Sequence, residues 1–190
     1  MTKRLLALAL LFLVWSQAAA DPKVLITFDS PDGHTAQVAE WIAQGVKEFP
    51  GADLRLKVVT ETTHEDLVWA DAIIIGSPVY NAGLTPHAGT FLAEWPFKGS
   101  PLKNRVGAAF TSCQGTTAGA ENVLFQLLKT MLMFRMVVVG GEDWRTGFGV
   151  AYVRDNANER SLGFLKRQCY DLGQRVCRTA EATAALRASE

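Results

Sequence analysis

The chain has 190 residues, with 19 Lys plus Arg against 19 Asp plus Glu and 48% apolar residues. That length suits one domain with a real core. A zero net charge excludes the basic footprint of a nucleic-acid binder, and the apolar content excludes a disordered chain.

Residues 1–20 read as an address rather than as fold. Lys3 and Arg4 open a positive start, an apolar run follows to Trp15, and Ala18, Ala19 and Ala20 close it. This is the layout of a secretory signal peptide cleaved between Ala20 and Asp21, with an uncleaved N-terminal anchor as the alternative. It gives an exported protein, periplasmic or secreted, whose single domain spans 21–190. Lys3 and Arg4 are the segment's only charges, so its removal leaves 17 basic against 19 acidic residues.

From Lys23 the pattern alternates. Residues 23–28 are a β-rich run that ends in the turn cluster 29–33. Val38, Ile42 and Val46 then recur at helical spacing up to Pro50 and Gly51. Residues 53–59 alternate as a strand exposed on one side or at an edge, and 72–75 are continuously apolar, as a strand buried on both faces should be. A helix is expected near 88–95, a fourth strand over 105–111, a helix over 120–134 and a fifth strand over 137–139. From Asn158 onward, Leu162, Leu165, Cys169, Leu172 and Val176 share one helical stripe.

Strands alternating with helices predict an α/β domain: a parallel sheet with helices on both faces. Ligands of such sheets bind beyond the carboxyl ends of the strands, where the strand order reverses. The loops after strands one, three and four are therefore the candidates.

The first, Ser30, Pro31, Asp32, Gly33, His34 and Thr35, runs directly into a helix whose free N–H groups suit an anion. It is neither a Walker loop nor GxGxxG. The second contains Pro78, Val79, Tyr80 and Asn81, with an aromatic that can lie beside a planar ring. The third contains Ser112, Cys113, Gln114, Gly115, Thr116 and Thr117, small and polar residues able to line a ring edge or a polyol chain. Taken singly, each also reads as an ordinary connection, with Tyr80 packed on its own surface.

The stretches KVLITFDSPDGHTAQVAEWIAQGV, ADAIIIGSPVYNAGLTPHAGTFLAEW and FTSCQGTTAGAE together resemble the flavodoxin-fold NAD(P)H:quinone oxidoreductases of the WrbA type and the related NADPH-dependent FMN reductases. The resemblance implies a flavodoxin-like three-layer sandwich with a five-stranded sheet in the order 2-1-3-4-5. It also implies a non-covalent FMN: Ser30 to Thr35 at the phosphate, Pro78 to Asn81 flanking the isoalloxazine ring, and Ser112 to Thr117 along the ring's other side and the ribityl chain. NAD(P)H would be the donor, and a quinone or another small molecule the acceptor. Two positions depart from the family: Asp32 stands where relatives carry an aromatic, and Phe134 where they carry a His near the flavin. The connection between the second and third strands is also shorter, so tetrameric assembly is not carried over. A homo-oligomer and a redox partner protein remain open.

Cys169 and Cys177 are eight residues apart on one expected helix, about 12 Å at a rise of 1.5 Å per residue, beyond the disulfide reach of about 7 Å. Cys113 reads either as a space-filler or as a redox group. His34, His64 and His87 show no metal-ligand spacing, and Ser30 lacks the G-x-S-x-G setting of a hydrolase. Two readings stand beside the reductase: an exported flavodoxin-like electron carrier, and a flavin-free binding module on the same fold.

Overall fold

The computed structural model describes residues 21–188. The expected signal peptide, 1–20, lies outside the described residues.

Six strands form one parallel sheet: β1 (Lys23–Phe28), β2 (Asp53–Val58), β3 (Ala72–Pro78), β4 (Val106–Cys113), β5 (Val137–Val138) and β6 (Val150–Val153). The order is β2-β1-β3-β4-β5, with β6 also paired to β4. The helices are α1 (His34–Lys47), α2 (His64–Trp69), α3 (Pro86–Ala93), α4 (Ala120–Met133), α5 (Glu159–Ala182) and α6 (Ala184–Ala188).

The period of two along each strand builds two cores. Val24, Ile26, Ile74, Ala108 and Phe110 face α1 and α5, where they meet Val38, Ile42, Leu172 and Val176. Leu25, Ile73, Ile75 and Ala109 face the other layer and meet Leu67, Phe91, Leu92 and Leu127. With both faces covered, β1, β3 and β4 read as unbroken apolar runs, whereas β2 at the edge keeps its alternation and its partial exposure.

Two glycines let α1 and α5 approach closely. A Cβ at Gly45 would lie 2.2 Å from the Tyr170 carbonyl oxygen, and one at Gly173 would lie 2.5 Å from that of Ile42. Cys169 and Cys177 are free and buried on the continuous α5. Burial pushes both thiols up to about 12, which leaves them inert at neutral pH.

Three features differ from the sequence expectation. The fifth strand is split: β5 pairs with Val106 and Gly107, residues 139–149 loop out, and β6 resumes beside Phe110 to Cys113. The run 137–139 is thus half a strand. Gly140, where an added Cβ would meet the Gly147 carbonyl, and Gly149, at φ +122°, shape the excursion. Second, α2 is one and a half turns that lean on tertiary contacts and a capping box. The Thr63 hydroxyl accepts from the Asp66 N–H while the Asp66 carboxylate accepts from the Thr63 N–H. Third, α3 begins at Pro86, with the Thr85 hydroxyl accepting from the Ala88 N–H at 3.3 Å.

Asp66 also receives Arg55 at 2.8 Å and Lys57 at 2.7 Å from β2. Burial pushes its carboxyl up. The hydrogen bonds from Lys57, Thr63 and Arg55 outweigh that and hold it well below the usual carboxylate range.

Candidate functional site

The carboxyl ends of β1, β3 and β4 lie side by side where the strand order turns, since β1 is flanked by both β2 and β3. Their loops meet there. Ser30, Pro31, Asp32, His34 and Thr35 line one cavity of about 170 Å³ together with Pro78, Val79, Ser112, Cys113 and Gln114.

The first loop is shaped by Gly33, the residue before α1, which adopts φ +80° with no side-chain cap of its own. Only glycine enters that conformation without strain. Ser30 reaches over it, its hydroxyl accepting from the Ala36 N–H at 2.9 Å. The N–H groups of His34 and Thr35, first and second in the helix, have no intrahelical acceptor. They open onto the cavity at the positive end of a 14-residue helix.

Ser112 joins all three loops. Its hydroxyl shares a hydrogen bond with that of Thr35 at 2.8 Å, and its carbonyl accepts from the Val79 N–H at 2.8 Å. Thr35 and Ser112 are both buried. One of the two hydroxyls donates within the pair, so the other keeps a proton for a ligand. Cys113 donates its thiol to the Gly115 carbonyl at 3.4 Å. Burial, and then the Asp155 carboxylate, push that thiol up from its ordinary value. It remains protonated at neutral pH, which disfavours the redox reading of Cys113.

Six of the expected residues stand outside the cavity. Gly33 acts through the backbone. Tyr80 and Gly83 exchange two hydrogen bonds of 2.9 Å around Asn81 and Ala82, whose φ values of 47° and 61° are those of a type I′ turn. The turn is pinned by the Asn122 side-chain amide, which donates to the Ala82 carbonyl at 2.7 Å. Tyr80 is 55% exposed. Gly115, Thr116 and Thr117 continue the loop after β4, with Thr116 accepting from the Asn156 amide at 3.0 Å.

Phe134 corrects the sequence reading. It follows α4, which runs back along β4, and its neighbour Arg135 accepts from the Asn104 N–H before β4 begins. It packs on Trp95 and Phe97 at the opposite edge of the sheet from the cavity. The residue is therefore no substitute for a polar contact at the site.

The sequence pattern of the family described as NADPH-dependent FMN reductase matches residues 53–150, just over half of the chain. A flavodoxin from Aquifex aeolicus is 30% identical over 165 residues, 81% of this chain and 84% of that protein. The chain belongs to the NADPH-dependent FMN reductase family. An NAD(P)H dehydrogenase (quinone) from Azorhizobium caulinodans is 33% identical over 142 residues, covering 62% of this chain and 70% of the relative. Among solved structures, a WrbA-like flavodoxin from Agrobacterium tumefaciens superposes with a TM-score of 0.70 at 20% identity, over 86% of this chain and 99% of that one. At that identity the likeness is one of fold.

Family membership brings FMN, and the donor set fits its phosphate end. Two free helix amides, the Ser30 hydroxyl and the spare proton of the Thr35–Ser112 pair converge on one hollow. Asp32 lines it but is exposed to solvent. The cavity is smaller than the roughly 300–1,000 Å³ of whole-ligand pockets. It therefore suits the phosphate and the chain next to it rather than a whole flavin.

The sequence reading missed Arg154. It follows β6, whose register sets Val153 beside Cys113, and it lines the same cavity. The short apolar run 150–153 hinted at a strand, but nothing in it says which strand it pairs with.

Proposed function

We propose that the protein is an FMN-dependent NAD(P)H oxidoreductase exported across the membrane, with a quinone as electron acceptor. One observation carries the reading: in a member of this family, three loops far apart in sequence converge on a single cavity fed by the start of α1. FMN, when held there, would supply the redox chemistry between NAD(P)H and the acceptor.

The chain's own residues hold and orient. The His34 and Thr35 amides and the Ser30 hydroxyl bind phosphate; Pro78 and Val79 form the wall beyond β3. Tyr80 and Asn81 flank the ring, and the segment from Gln114 to Thr117 borders its other side. A Cys113 thiol kept protonated stays out of the electron path.

A quinone acceptor is supported by the relatives from Azorhizobium caulinodans and Acidovorax ebreus, both named NAD(P)H dehydrogenase (quinone). Export is supported by the composition of residues 1–20. Fractionation of cells making the full chain should find the protein outside the cytoplasm with Asp21 as its first residue.

The decisive test is spectroscopic. The purified protein mixed with FMN should acquire bound oxidised-flavin bands, lose them on anaerobic addition of NADPH and regain them with a quinone. A protein that stays colourless sinks the reading and leaves the flavin-free module. The carrier reading has one specific observation behind it, the likeness to the Aquifex flavodoxin over most of the chain. It predicts that bound FMN is not reduced by NADPH on a turnover timescale.

A further inference from the structure

We propose that Arg154 and Asp32 together set how strongly the cavity prefers a phosphorylated flavin over the same flavin without phosphate. The inference rests on the FMN reading above and assigns its specificity to two residues.

Arg154 is held in place entirely by its neighbours. Val153 is paired in β6 beside Cys113. The Asp155 N–H donates to the Gln114 carbonyl at 2.9 Å, and the Gln114 amide donates to the Asp155 carboxylate. The Asn156 amide donates to the Thr116 hydroxyl at 3.0 Å. Between these anchors, the half-buried Arg154 guanidinium has no hydrogen bond or ion pair among the described residues. Its backbone is fixed and its side chain serves no hydrogen bond or ion pair among the described residues.

Asp32 is the matching case on the opposite loop. It lines the same 170 Å³ cavity, and its carboxylate likewise has no partner among the described residues, Arg154 included. Opposite charges that share a hollow without pairing leave room for a third group. A phosphate monoester carries about −1.5 to −2 at neutral pH. It is drawn to the planar guanidinium fork, which can meet two of its oxygens, and repelled by the carboxylate. A flavin lacking phosphate senses neither. The balance between the two side chains, added to the helix amides, therefore acts on FMN alone.

Flavin-fluorescence titrations of the full chain with FMN and with riboflavin, at low and high salt, test this. Arg154→Ala should weaken FMN about tenfold or more while riboflavin stays within about twofold. Its FMN affinity should also lose part of its salt dependence. Arg154→Lys should keep part of the preference, because it keeps the charge and loses the fork. Asp32→Asn should tighten FMN about threefold with riboflavin unmoved, and the double variant should fall between the two, about threefold or more weaker than the parent chain.

Equal weakening of both flavins in Arg154→Ala, or none, overturns the proposal. So does a lowered melting midpoint of that variant without flavin, which would give the side chain a structural task. If the unaltered chain binds FMN and riboflavin equally, this inference fails and the FMN reading stands. If it binds neither, both fall.

Discussion

At the floor of the cavity, Thr35 and Ser112 share a hydrogen bond of 2.8 Å and both are buried. At the same edge of the sheet, the Tyr80 turn stands in solvent with two non-glycine residues at positive φ. The floor is cross-tied through β1, β3 and β4, whereas the turn closes on itself through Tyr80 and Gly83 and rests on Asn122. The contrast fits a division of labour. An anion needs fixed donors, because their aim sets the interaction energy. A ring that must meet a donor and then an acceptor needs an accessible face.

If the floor depends on how α1 is seated, the largest effect should come from its packing on α5. Gly173→Ala puts a methyl 2.5 Å from the Ile42 carbonyl, which is backbone and cannot swing away. Overpacking of this kind costs about 1–3 kcal/mol. Urea denaturation should register that loss, and FMN affinity should fall with it, because α1 carries the proposed anion site.

Asp66 separates damage to the fold from damage to the site. Asp66→Asn removes the partner of Arg55 and Lys57, at a cost of about 2 kcal/mol; this is below the usual figure for a buried pair because both cations are about a third exposed and can rehydrate. The folded carboxyl is held below its unfolded range, so its contribution is complete above about pH 4 and drains away as pH falls through the folded value. Melting midpoints of the parent chain should drop more steeply below about pH 4 than those of Asp66→Asn, while FMN affinity at neutral pH is shared by the two.

Thr35→Val addresses the floor itself. It keeps the shape and leaves the buried Ser112 hydroxyl without its partner, for a loss of about 1–2 kcal/mol in stability. It also removes one of the two hydroxyls at the cavity and the bond that aims the other, so FMN binding weakens more than riboflavin binding.

This contrast also marks what the sequence made legible. The unbroken apolar runs of β1, β3 and β4 follow from burial on both faces, and the spacing of Val38, Ile42 and Val46 follows from one buried helix stripe. The three loops were readable because strand-to-helix turns carry local chemistry in Gly, Ser and Thr. Arg154 was not, because its place depends on β6 pairing with β4, a contact made only once the sheet has formed. Phe134 was misplaced for a related reason. A position matched by resemblance to a family does not say that α4 has carried it, within this chain, to the amino end of β4. Helix α2 escaped because six residues are too few to show a helical period.

The turn should respond with the opposite sign from the floor. Ala82 holds φ 61°, a conformation that disfavours a residue with a Cβ by about 1–2 kcal/mol. Ala82→Gly removes that strain against the extra chain entropy of glycine, for a net gain of about 0.5 kcal/mol in urea denaturation. A loss instead would show that the Ala82 methyl, packed against Gly119, matters more than its backbone.

Tyr80→Ala completes the comparison, with the smallest effect on the fold and a distinct effect on binding. The side chain is more than half exposed and packs on no core cluster, so stability should move by less than about 0.5 kcal/mol. In the proposed reading its ring flanks the isoalloxazine, and an aromatic pair is worth about 0.5–1.5 kcal/mol beyond buried area. FMN affinity should therefore fall roughly fivefold, and riboflavin affinity should fall by the same factor, because the two ligands share the ring. Tyr80→Phe should restore most of the loss, since the phenol oxygen makes no hydrogen bond among the described residues. A Tyr80 variant that discriminated between the two flavins would mean that the turn reads the phosphate after all, and the two ends of the site would no longer be separable.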